Sequence, residues 1–195
     1  MRGPYMTDSI ARLFGTPARL KVLRLFLFND TEAFSVSEAV GRCRISKEIA
    51  RREIAALVSM KILRRRASRG GPVYAADARF MHREALKSFL RATTLLTDAG
   101  IVRGLRKAGS LRLVILSGLF TGAVEPQVDL IIVGDRLDDR KVAAAGRVFE
   151  AELGKELRYA SFSTEDFRYR LGVYDRLIRD VLDAPHRVIF DKIGL

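Results

Sequence analysis

Apolar residues fall at helical spacing along the first third of the chain. Thr16-Pro17 opens a helix, threonine as the cap and proline at the first helical position, where its missing N–H is not needed. Leu20, Leu23, Phe26 and Leu27 then share one side of a run from Ala18 to Phe28, which Asn29-Asp30 stop. A short helix is expected upstream, around Ser9 to Phe14. Ser35 and Glu38 form a capping box for a second helix reaching about Gly41, with Val36, Ala39 and Val40 facing a core. Gly41 to Ile45 predicts a tight turn. Ser46 caps a third helix, Glu48 and Glu53 favour its first turns, and Ala50, Ile54, Leu57 and Met60 form its buried stripe. Two short strands follow, around Ile62-Leu63-Arg64-Arg65-Arg66 and Val73-Tyr74, on either side of Arg69-Gly70-Gly71-Pro72. The spacing predicts a hairpin with basic arms and tip.

Residues 79–108 read as helical, with Phe80, Leu86, Phe89, Leu90, Leu95 and Leu96 apolar, a break at Ala99-Gly100, and an end at Ala108-Gly109-Ser110. The period then changes. Leu111–Leu116 and Val128–Val133 read as strands, Asp138-Asp139 cap a helix from about Arg140 to Leu153, and Leu157–Phe162 is a third strand. Helices near Thr164–Arg170 and Tyr174–Leu182 precede Pro185 and a last strand, Arg187–Phe190. The class is α+β in three parts: a domain at 1–78, a helical linker at 79–108, and an α/β domain at 109–195.

Composition narrows the classes. With 48% hydrophobic and 30% charged residues in 195, the chain can bury a core and is not of the disordered type. No apolar run approaches the ~20 residues of a membrane span, and Met1 to Met6 lack the apolar stretch of a secretory signal, so a cytoplasmic protein without membrane association is expected. The single cysteine, Cys43, can form neither an internal disulfide nor a cysteine-based zinc site, and burial suits it better than redox sensing. His82 and His186, the only histidines, belong to no catalytic signature. The net charge of +12 is unevenly spread: residues 1–78 hold 15 Lys/Arg against 7 Asp/Glu, a net +8, and the rest of the chain only +4. A basic domain joined to a more balanced one points to a polyanion, and nucleic acid fits better than membrane because no basic amphipathic helix with an aromatic face is present.

Helix, helix, turn, helix and basic hairpin is the order of a winged helix-turn-helix. Ile45-Ser46-Lys47-Glu48-Ile49-Ala50-Arg51-Arg52-Glu53-Ile54-Ala55-Ala56-Leu57, with Met60-Lys61-Ile62-Leu63 after it, closely resembles the recognition helix and start of the wing in bacterial winged-helix transcriptional regulators, over roughly residues 8–76. The resemblance implies double-stranded DNA as partner. Lys47, Arg51 and Arg52 would reach base edges in the major groove, Ser46 and the helix N-terminus would hold a phosphate, and Arg64, Arg65, Arg66 and Arg69 would follow the backbone or enter the minor groove. Strand residues alternate in direction, so Arg64, Arg65 and Arg66 cannot all face one duplex. Regulators of this kind are often dimers on two-fold operators, which implies a homodimer.

Residues 109–195 resemble the nucleotidyltransferase fold. That family places a Gly-Ser pair after the first strand, two alternating acidic residues on the second, and a third on the next, to hold Mg²⁺ for phosphoryl transfer. Here the pair is Gly118-Leu119, the first acidic position is Gln127, only Asp129 matches, and Leu157–Phe162 carries no carboxylate. The expectation is no metal, no cofactor, no catalytic residues and no enzyme activity. Asp129 is then either a structural relic paired with an arginine, the favoured reading, or part of a surviving pocket with Gly118, Thr121 and Gly122 that takes a small-molecule or nucleotide effector. The domain would serve sensing or subunit contact. Competing readings are a nucleotidyltransferase acting on a nucleic-acid or protein acceptor, and a protein–protein adaptor. Asp175 and Arg179 are expected to pair near the C-terminus.

Overall fold

The computed structural model of the chain describes residues 10–93, 96–121 and 127–195. It is a mixed α+β protein of two compact units. One ends at Leu96 and takes in Glu150–Glu156; the other holds Thr97–Phe149 and Leu157–Leu195.

In the first unit, a helical turn over 10–13 precedes α1 (Pro17–Phe28), α2 (Val36–Cys43) and α3 (Lys47–Ser59). The hairpin β1 (Leu63–Arg66) and β2 (Val73–Ala76) and helix α4 (Arg83–Ala92) follow. The caps are those the side chains dictate. Thr16 Oγ1 accepts from Arg19 N–H at 3.0 Å, Ser35 and Glu38 cap each other's backbone, and Ser46 Oγ accepts from Ile49 N–H at 3.3 Å. Helix α2 runs two residues beyond Gly41, because Arg44 takes the left-handed conformation (φ 53°) and ends it with a backbone bond to Val40. The expected turn is thereby shortened to Arg44-Ile45.

Helix α1 is buried on nearly every side, Leu20, Val22, Leu23, Leu25, Phe26 and Leu27 all lying in the core. Ala39 and Cys43 of α2, Ile54 and Leu57 of α3, Leu63, Ala76, Leu90 and Phe34 close around it. Leu86 and Leu90 pack into this same core rather than onto an outside face. Met60 does not extend the α3 stripe: it is the C-cap residue and is half exposed. Phe34 exchanges both backbone hydrogen bonds with Tyr74, so the hairpin is tied along its second strand to the segment before α2.

Two buried charges organise this unit. Glu53, with a fully buried side chain, accepts from Arg19 Nε at 2.8 Å, Thr16 Oγ1 at 3.1 Å and an Arg52 guanidinium nitrogen at 3.2 Å. It lies in the second turn of α3, so its place reflects this network and not the helix dipole. Arg24, also fully buried, donates to the carbonyls of Thr93 at 2.9 Å and Glu152 at 3.2 Å. Beside it Gly154 (φ +74°) presses on α1; a Cβ there would stand 2.5 Å from Arg24 backbone carbon, and Asn29 Nδ2 donates to Gly154 carbonyl at 2.7 Å.

The second unit begins with α5 (Asp98–Leu105), so the helix break falls before Thr97, whose hydroxyl caps Gly100 N–H, and not at Ala99-Gly100. A 3₁₀ turn leads into β3 (Ser110–Leu116), β4 (Leu130–Asp135), α6 (Asp139–Leu153), β5 (Tyr159–Phe162), α7 (Thr164–Gly172), α8 (Arg176–Asp183) and β6 (Arg187–Asp191). The sheet order is β5-β4-β3-β6, with β4 and β5 parallel and the other pairs antiparallel. Leu113, Ile115, Ile131 and Val133 pack under Phe167, Ile178 and Val181 of α7 and α8, while Val114, Leu116, Leu130 and Ile132 on the opposite face are buried as well. A sheet covered on both faces explains the unbroken apolar runs in β3 and β4. Asp175 caps α8 and pairs with Arg170, and Arg179 pairs with Asp183, so the expected Asp175–Arg179 pair does not form.

Burial alone would push Glu53 up, but hydrogen bonds from Arg19, Arg52 and Thr16 outweigh it and hold the carboxyl below the usual carboxylate range. A carboxyl depressed in the folded state stabilises fully above its unfolded pKa of about 4.3, and the contribution is lost as pH falls through the lower folded value. Glu53→Gln should therefore cost about 1.5–3 kcal/mol at pH 7, and its melting temperature should fall less steeply than the wild type's between pH 5 and pH 3, as read by circular dichroism.

Candidate nucleic-acid interface

The rotation of α3 decides which of its side chains are free. Successive residues are about 100° apart around a helix. Ala50, Glu53, Ile54 and Leu57 are buried, which turns Glu48, Arg52 and Ser59 furthest outward and leaves Lys47 and Arg51 on one flank. Lys47, Arg51, Arg52 and Ser46 are all exposed. Arg52 is partly committed, since its guanidinium bonds Glu53, and the Ser46 hydroxyl is used as the cap.

The hairpin carries the other cations. The register sets Arg64 opposite Ala75, Arg65 opposite Tyr74 and Arg66 opposite Val73. Alternation places Arg64 and Arg66 on one face and Arg65 on the face of the buried Leu63. Arg65, Arg66 and Arg69 are exposed. Arg64 is half buried, and its Nε is enclosed with no hydrogen-bond partner among the described residues. The tip closes through Gly71 N–H to Ser68 carbonyl at 3.0 Å, with Gly71 at φ +108°, a conformation that requires glycine.

Between helix and hairpin tip lies an open groove of about 450 Å³. Lys47, Arg51, Ile54 and Ala55 form one wall, Gly70, Pro72 and Tyr74 the opposite one, and Ser35, Val36 and Ser37 at the start of α2 its end. Sequence marks Ser35 only as a cap and Tyr74 only as a strand residue, and does not place them or Ser37 at a groove, because nothing local ties the first turn of α2 to a hairpin more than thirty residues on. The electrostatics are one-sided. Lys47, Arg51, Arg64, Arg65, Arg66 and Arg69 form no ion pair with a carboxylate among the described residues. Elsewhere cations of both kinds occur: Arg19, Lys21, Arg112, Arg158 and Arg170 pair with carboxylates, whereas Arg136, Arg140 and Arg147 form no ion pair among the described residues.

The residues proposed for a pocket in the second unit are differently placed. Asp129 precedes β4 rather than lying within it, and is fully buried. Its Oδ1 accepts from Leu119 N–H at 3.0 Å and its Oδ2 from Arg158 N–H at 3.0 Å, with the Arg158 side chain at 3.3 Å. Every carboxylate oxygen thus has protein partners. Gly118 is buried in a 3₁₀ turn at φ +48°, and Thr121 donates to Pro185 carbonyl at 2.7 Å. Gly122 lies outside the described residues. Gln127 donates to Asp180 at 2.7 Å. Among the described residues no three potential metal-ligating side chains group together, and no helix is long and apolar enough to cross a membrane. Cys43, whose thiol burial pushes up to about 12, stands in the core at the end of α2.

No family model, curated protein or solved structure matches the chain. Asp129→Ala should leave the backbone N–H groups of Leu119 and Arg158 without this acceptor and lower stability by about 1–3 kcal/mol. Chemical denaturation would read this, and a loss below about 0.5 kcal/mol would show that the carboxylate is not structural.

Proposed function

We propose that the first unit is a winged helix-turn-helix that binds double-stranded DNA sequence-specifically, and that the protein is a cytoplasmic transcriptional regulator. Helix α3 enters the major groove, a fit its diameter allows. The hairpin lies along the sugar-phosphate backbone, with Arg66 and Arg69 on phosphates. The single observation that carries the reading is that six cations on α3 and the adjoining hairpin have no carboxylate partner among the described residues, two of them, Lys47 and Arg51, lining an open groove. Charges left unneutralised on adjoining elements attract a polyanion, because each phosphate they replace a counterion on adds to affinity. Lys47 and Arg51 flank the groove from the helix side, within reach of both a phosphate and a base edge.

The second unit is, in this proposal, a nucleotidyltransferase-like domain without catalysis, used for sensing or for contact between two subunits on a two-fold operator. The engagement of Asp129 by Arg158 and Leu119 supports the loss of activity, since a carboxylate with every oxygen bonded has none to offer Mg²⁺.

Fluorescence anisotropy across a salt series tests the reading, using the region upstream of the protein's own gene, fragments selected from its genome, and a scrambled duplex. Specific binding should exceed binding to the scrambled duplex by about 10³-fold or more. Equal affinity for all duplexes at every salt concentration would overturn it. Arg51→Ala should cost about 1–3 kcal/mol on the preferred duplex. Arg66→Ala or Arg69→Ala should weaken all duplexes alike and reduce the salt slope by about 1. For the second unit, nucleoside triphosphates with Mg²⁺ should give no metal-dependent rise in melting temperature; a rise of several degrees would return the enzyme reading.

A further inference from the structure

Glu48 is the one acidic residue on the outward face of α3, and it stands in the basic setting just described. It occupies the first turn, directly opposite the buried stripe, and is exposed. An arginine lies four residues on, the spacing at which a helical Glu–Arg pair normally forms with glutamate nearer the N-terminus. The pair is absent, because Arg52 turns instead to the buried Glu53, at 3.2 Å. Glu48 forms no hydrogen bond or ion pair among the described residues. The helix leads with an unpaired carboxylate where phosphate binding alone would favour a neutral or basic side chain.

We propose that Glu48 is a specificity-determining residue whose carboxylate accepts the exocyclic amino hydrogen of a cytosine in the major groove; this rests on the DNA-binding reading above. The chemistry singles out that base. Cytosine shows the major groove only its N4 amino donor. Adenine sets its N7 acceptor beside the N6 donor, guanine presents two acceptors and thymine one, and each would face the carboxylate with a lone pair. The residue therefore works in part by exclusion, lowering affinity for every duplex while lowering it least where cytosine stands. Arg52, held by Glu53, is kept from neutralising it.

The alternative is that Glu48 only favours the N-terminus of α3 through the helix dipole. Four forms of the full-length protein separate the two: wild type, Glu48→Ala, Glu48→Gln and Glu48→Asp. Each is used to select duplexes from a random library, and anisotropy then compares the selected duplex with its single-base variants. The wild type should prefer cytosine at one position by about tenfold or more. Glu48→Ala should bring that preference within about twofold, leave the other positions unchanged and bind non-specific DNA more tightly. Glu48→Gln should move the preference to adenine, which a side-chain amide can meet with one donor and one acceptor. Glu48→Asp keeps the charge at the helix terminus and should keep the melting temperature, yet its shorter reach should lose the cytosine preference. Retention of the wild-type preference by Glu48→Ala would overturn the proposal while leaving DNA recognition intact. A wild type with no base preference at any position would overturn the DNA-recognition reading and this proposal with it.

Discussion

The buried carboxylate of Glu53 fixes how α3 presents its cations. It joins the start of α1, through Thr16 and Arg19, to the second turn of α3. A hydrophobic stripe alone sets the rotation of a helix loosely, since apolar contacts carry no direction. Hydrogen bonds do, and a buried carboxylate with three donors tolerates little rotation. Buried ion pairs add little net stability compared with apolar packing, so the effect of this one is on arrangement. The same carboxylate also draws Arg52 aside. The orientation of Lys47 and Arg51 along the groove and the isolation of Glu48 both follow from a residue that never reaches solvent.

A second anchor holds α1 itself. Arg24 sits among leucines with its guanidinium on two backbone carbonyls, and burial lowers its pKa against the opposing pull of Glu152. Both carbonyls lie near the ends of their helices, where such groups lack intrahelical donors. Lys21 with Glu152 and Arg42 with Glu156 add further ties to the segment Glu150–Glu156. Gly154 permits the close approach, because any side chain there would collide with the α1 backbone. Helix α1 is thus clamped by polar groups at the one side its own leucines do not close.

The sequence shows its local chemistry well and its distant pairings poorly. Thr16, Ser35 with Glu38, and Ser46 announce three helix starts, since a cap bonds within three residues of itself. The hairpin is equally local, its turn residues forcing its strands together. Ends are harder to read: α2 outlasts Gly41 because a non-glycine residue, Arg44, adopts the left-handed conformation. Strand β4 begins two residues later than its apolar run suggests: Asp129 gives its backbone N–H to Arg158 and its carbonyl to Ser117, and its side chain to the N–H groups of Arg158 and Leu119. Arg158 is 29 residues away, and no periodicity marks it. The same holds for Arg24, whose acceptors are backbone carbonyls and so leave no trace in residue types. Of the basic set on α3 and the hairpin, the cations are visible from composition, but that Arg52 is engaged depends on the buried Glu53.

The burial of Cys43 has a further consequence. Its thiol is enclosed between α1, α2 and α3 and needs strong alkali to ionise, so alkylating reagents find no thiolate while the core is closed. Because the chain has no second cysteine, its rate of labelling becomes a clock for the opening of that one core, counting excursions that expose the first unit regardless of what the second is doing.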